Sequence, residues 1–103
     1  MEPTVEVTRY HVSCLPADHP DAHHFSLRVE RRSTNPDRWC VTDGAYCYDL
    51  NGNAEYEANP SSRTDKFKRN FRHSLDEALQ LAKRIAPTMT INGLTPDKVL
   101  ARS

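Results

Sequence analysis

Apolar residues along this chain follow two spacings. Through residues 74–87, SLDEALQLAKRIAP, they recur every three or four positions, so that Leu75, Ala78, Leu79, Ala82, Ile85 and Ala86 share one helical face. Ser74 with Glu77 supplies the S-x-x-E capping box at the start, Lys83 and Arg84 complement the dipole near the end, and Pro87 stops the helix. Through most of the first sixty residues the spacing is two. Phe25, Leu27 and Val29 point one way while Ser26, Arg28 and Glu30 point the other, which predicts a half-buried strand.

The same alternation sets the neighbouring strands. Val5 and Val7 occupy odd positions and Tyr10, Val12 and Cys14 even ones, so a first strand is expected to change face near Thr8 or Arg9 through a bulge. After the turn-like residues 33–37, Trp39 and Val41 lead to Asp43-Gly44 and on to Tyr46, Tyr48 and Leu50. Asp-Gly between alternating runs signals a two-residue hairpin. With that loop, Trp39 faces Tyr48, Val41 faces Tyr46 and Cys40 faces Cys47, giving one aromatic face and one carrying both thiols. Beyond Asn51-Gly52, an odd loop aligns Ala54, Tyr56 and Ala58 with Leu50, Tyr48 and Tyr46; an even one would set Glu55 and Glu57 beside the tyrosines.

Two further helical pieces are expected. Phe67 and Phe71 stand four apart in the polar residues 59–73, which suggests a short helical turn over residues 64–70. Thr95 as N-cap with Pro96 at the first helical position opens a last short helix through Arg102, after an extended piece at Met89 and Ile91 and the turn Asn92-Gly93. The predicted fold is α+β: an antiparallel sheet of about four strands packed on one main helix, plus a short C-terminal helix. Phe25, Leu27, Val29, Trp39, Val41, Tyr46 and Tyr48 are expected to meet Leu75, Leu79, Ala82 and Ile85.

Length and composition narrow the class. The 103 residues suit a single domain spanning 1–103 with one modest core. A mean hydropathy of −0.77 is polar, yet the periodic segments argue against disorder. No apolar run approaches the roughly 18 residues of a membrane span, and the N-terminus lacks a basic-then-apolar leader pattern. A cytoplasmic setting follows, in which Cys14, Cys40 and Cys47 are expected as reduced thiols. Net charge is zero but segregated: residues 1–60 carry an excess of about five negative charges and residues 61–103 the same excess of positive ones.

The chemistry-bearing candidates are few. Arg63, Lys66, Lys68, Arg69 and Arg72 interleave with Phe67 and Phe71, a pattern that suits phosphate contacts with base stacking; in the plainer reading the rings enter the core and the cations are solvated. His11, Cys14, His19, His23 and His24 hold zinc-compatible atoms, but their spacing matches no compact finger, and an exposed His-rich loop is expected over residues 15–24. Cys40 and Cys47 are either a cross-strand pair near enough to bridge or two small, partly apolar residues. No phosphate-cradling glycine loop, nucleophile elbow or metalloprotease motif is present. The expectation is no cofactor and no enzyme activity. What remains is a protein-binding module whose partner is a protein, with nucleic-acid binding through residues 63–72 as the alternative.

The segments SCLPADHPDAHHF, RWCVTDGAYC, E-Y-E-x-x-P-S-S-R at residues 55–63, and SLDEALQLAKRIAP followed by Ile91-Asn92-Gly93 together resemble small uncharacterised proteins of actinobacteria and their bacteriophages, over most of the chain. The resemblance implies a bacterial or phage accessory protein that binds a host component, and assigns no activity or site. In topology alone, strands followed by one packing helix are similar to the three-stranded DNA-binding domains of plant ethylene-response factors and to integrase arm-binding domains. Those domains read DNA with the sheet face opposite the helix. Here that face would present Ser26, Arg28, Glu30, Cys40, Thr42 and Cys47, which is not a basic surface.

Overall fold

A computed structural model describes residues 1–57 and 59–102. Five strands, β1 (Arg9–Ser13), β2 (Ser26–Thr34), β3 (Asp37–Thr42), β4 (Tyr46–Tyr48) and β5 (Ala54–Tyr56), form one antiparallel sheet in sequential order. Three helices follow: α1 (Asp65–Phe71), α2 (Leu75–Ile85) and α3 (Pro96–Arg102). The α+β class holds, with five strands instead of about four. No helix among the described residues is long and apolar enough to cross a membrane.

Helix α2 forms where its capping box predicts. The Ser74 hydroxyl accepts from Glu77 N and the Glu77 carboxylate accepts from Ser74 N, so two otherwise orphaned donors are satisfied reciprocally. Its apolar face lies across β1 to β3, where Leu27, Val29, Trp39 and Val41 meet Ala78, Leu81, Ala82 and Ala86. Three contacts differ from expectation. Leu81 is buried to 1% exposure while Leu79 is only half-buried, because Ala78 and Ala82 let the helix axis settle against the sheet and Leu81 and Leu79 fall on opposite flanks of that line. Tyr46 does not reach α2: it is 47% exposed and meets Tyr56 edge-on. Phe25 belongs instead to a smaller cluster with Leu15 and Val99, where α3 closes one end.

The hairpins keep their predicted faces but shift in register. Between β3 and β4, Thr42 pairs with Cys47, so Cys40 lies diagonal to Cys47 and not opposite it. The cause is side-chain capture at the turn. The Asp43 carboxylate accepts from Ala45 N and Tyr46 N, and the Thr42 hydroxyl accepts from Gly44 N and donates to Tyr46 O, which moves the two-residue loop on to Gly44-Ala45. Gly44 sits at φ +113°, a left-handed conformation that L side chains rarely adopt, so the turn favours glycine there. The β4–β5 loop has the odd length expected, but Asp49 closes it by accepting from Asn51 N and Asn53 N. Tyr48 therefore faces Ala54, and Tyr46 faces Tyr56. Ala58, expected near Tyr46, lies outside the described residues. Strand β1 begins only at Arg9, and Val5 and Val7 are exposed ahead of it. Asn92-Gly93 closes a tight turn between Ile91 and Leu94, with both turn residues at positive φ.

The largest departure concerns the second face of the sheet. It is covered, not open. Phe71 and Phe67 of α1 pack on Cys40 and Cys47, so the topological likeness to sheet-reading DNA-binding domains fails at the face those domains use. The chain passes from this face to the α2 side at His73. There the backbone forms an antiparallel bridge with Trp39, through bonds of 2.7 and 2.8 Å, beside the end of β3 that the short β4 leaves unpaired.

Candidate functional site: a basic groove over an arginine–glutamate network

On the covered face, alternation in β2 aims Arg28, Glu30 and Arg32 away from α2. A bulge between Arg31 and Ser33 makes Arg32 the extra residue of the pair and turns its guanidinium toward β5 and α1. Arg32 donates to both Glu57 oxygens, from Nη2 at 2.6 Å and from Nε at 3.3 Å, and to Glu30 Oε2 from Nη1 at 2.9 Å. Arg72, at the end of α1, donates to Glu57 Oε2 at 2.8 Å, and Arg63 approaches the same oxygen at 3.7 Å. Arg9 and Arg28 complete the other end at Glu30, at 3.4 and 3.3 Å. Burial by itself would raise the Glu57 carboxyl, but the hydrogen bonds and charge of Arg32, with Arg72 and Arg63 behind, bring it down to about 2. Glu30 is likewise lowered against its burial by Arg32, Arg28 and Arg9.

Above this network opens a groove of about 850 Å³. Arg32, Ser33 and Arg38 form its wall at the β2–β3 end, Asp49, Leu50 and Asn51 line it from the β4–β5 loop, and Arg63, Lys68, Arg69 and Arg72 come from the α1 region. His73, Ser74 and Glu77 border it where α1 gives way to α2. Its wall thus holds six Arg and Lys side chains against two carboxylates. The His73 ring is buried and Nε2 donates to Tyr48 O at 2.9 Å, which places its ring proton on that nitrogen.

The five basic residues named from sequence separate into three groups. Lys68 and Arg69 are exposed at the groove, Arg63 and Arg72 reach it while holding Glu57, and Lys66 lines a smaller neighbouring hollow with Glu55 and Phe67. The aromatic half of the stacking pattern is occupied elsewhere. Phe67 and Phe71 stack on each other with centroids 4.7 Å apart and cover the thiols, and Arg72 lies 5.5 Å over Phe67. Sequence reasoning missed Arg32, Arg38 and Glu57. For Glu57 a signal existed: an odd β4–β5 loop puts it on the Cys47 face. For Arg32, alternation gives the face it shares with Arg28 and Glu30, but no pattern announces the bulge that turns it toward Glu57.

Beneath Phe71, Cys40 and Cys47 are fully buried. Their sulfurs and a Glu57 carboxylate oxygen lie within 4.8 Å of one another, the one group of three metal-competent side chains among the described residues. A hydrogen bond from Cys47 lowers the Cys40 thiol against its burial, with the Arg32 charge assisting, and the same bond with burial pushes Cys47 up. The His-rich segment forms the successive turns of a loop, with His23 and His24 exposed, but residues 15–24 are not exposed throughout as expected, since Leu15 is buried and His19 half-buried. His19 Nδ1 accepts from Asp21 N, and the His23 and His24 rings stand 3.8 Å apart. Cys14 is exposed.

No family model, curated protein or solved structure matches this chain.

Proposed function

We propose that this chain is a non-catalytic protein-binding module that takes an acidic segment of its partner into the groove between α1 and the β4–β5 loop. The observation that carries the reading is the groove wall, six cations against two carboxylates, set on a network that already holds a carboxylate in Arg32, Arg63 and Arg72. Glu57 is an internal instance of the ligand: guanidinium forks bind carboxylates in paired geometry. Lys68 and Arg69 at the rim would steer an acidic segment in, and Leu50 and Pro60 offer apolar contact beside it.

The absence of catalysis in this reading is supported by the placement of the reactive groups. Two of the three thiols, Cys40 and Cys47, are sealed under Phe71, and the buried His73 ring is bonded to a backbone carbonyl. Nucleic acid is the weaker alternative, since the rings that would stack on bases are stacked on each other. A cytoplasmic setting and an actinobacterial or phage source belong to the same proposal and rest on sequence alone.

Fluorescence anisotropy separates the readings. A labelled Glu-rich peptide should bind, more weakly as salt rises, and the double change Lys68→Glu with Arg69→Glu should weaken it about ten-fold or more. Lys83→Glu with Lys98→Glu, exposed charges outside the groove, should leave it unchanged. If a single-stranded oligonucleotide of matched charge binds as tightly through Lys68 and Arg69, the nucleic-acid reading replaces this one. If neither ligand binds, both fall.

A further inference from the structure

The groove makes no use of the two thiols buried below it. We propose that Cys40 and Cys47 form a two-thiolate site for a soft monovalent cation, Cu(I), independent of what the groove binds. The geometry brings the pair close to the span of one ion. Zinc–thiolate bonds are about 2.3 Å long, so a single cation of that size spans two sulfurs about 4.6 Å apart or less, and these lie within 4.8 Å of each other and of a Glu57 oxygen, a bound that a few tenths of an ångström of side-chain adjustment brings within that span.

Ligand number and softness select the ion. Zinc in a closed site takes four ligands, and no fourth side chain joins this group among the described residues. The third member, Glu57, is held by Arg32 and Arg72 at 2.6 and 2.8 Å. A dication using Glu57 would have to displace those guanidiniums and then sit against them. Cu(I) needs only the two thiolates, which it prefers to oxygen. Binding converts two thiols and one Cu(I) into a bis-thiolate unit of charge −1 and releases two protons, with no electron transferred. An anionic unit suits the surroundings, where Arg32, Arg63 and Arg72 outnumber the Glu57 carboxylate they surround. The cover of Phe71 and Phe67 keeps water from the pair.

The test is an anaerobic titration of the reduced full chain against Cu(I) held by bicinchoninate. The unaltered protein and Cys14→Ser should each withdraw one equivalent. Cys40→Ser and Cys47→Ser should each weaken binding more than about 100-fold, beyond what outer-shell changes cause, and Glu57→Gln should stay within about ten-fold. X-ray absorption on the unaltered protein, which depends on no variant, should show copper with two sulfur neighbours and no nitrogen or oxygen. Withdrawal of no copper, nitrogen or oxygen at the metal, or copper that follows Cys14 would overturn the proposal. So would Zn(II) binding that competes equally and is lost in Glu57→Gln.

Discussion

Glu57 is the residue on which the polar face depends. Its side chain is 11% exposed and meets three guanidiniums, so removing its charge strands Arg32 and Arg72 in a partly buried site. Glu57→Gln should cost roughly 2–4 kcal/mol at neutral pH, between the values for exposed and buried pairs. The sign of the acid dependence follows from the direction of its shift. A carboxyl held at about 2 in the folded chain stabilises it above the ordinary carboxylate value, and that contribution drains away as pH falls from about 4.5 toward 2. Urea unfolding across that window should show a shallower loss in Glu57→Gln than in the unaltered chain, with a residual slope from Glu30, which is lowered too. Equal slopes would mean that the network contributes nothing at Glu57.

At the scale of elements, the account rests on how α2 seats on the sheet. Leu81→Ala should cost about 2–5 kcal/mol, as fully buried leucines do, and Leu79→Ala clearly less; equal costs in denaturant titrations would put the helix in the wrong rotation. The helix itself was legible, because the capping box and the stripe are local. Its rotation was not, since Leu79 and Leu81 flank the same small-residue line and only the packed sheet decides between them. Strand faces were legible through the period of two, as Leu27, Val29 and Val41 show. Their registers were not, because Asp43 and Asp49 capture turn amides that alternation does not weigh. The role of α1 was legible in part: the plainer reading sent Phe67 and Phe71 into the core, but Arg28, Glu30, Arg32 and Thr42 give the second sheet face the look of a solvated surface, and only the folded chain puts the rings over Cys40 and Cys47 there.

For the whole molecule, the separation of charge along the sequence becomes a join in space. Glu57, from the acidic half, holds Arg63 and Arg72 of the basic half in place together with Arg32, and the cations left at the rim define a groove that no single segment encodes. The candidate site was therefore half legible: residues 63–72 supplied the α1 side, while Arg32 and Arg38 arrive from strands. The most direct measurement is an amide-resolved titration of the isotope-labelled chain with a Glu-rich peptide at low salt. The shifts should concentrate at Arg38, residues 49–51 and residues 68–74, which converge on the groove from three parts of the sequence. Shifts gathered instead at the exposed Tyr46 and Tyr56 pair, or on the His-rich turns, would contradict the account.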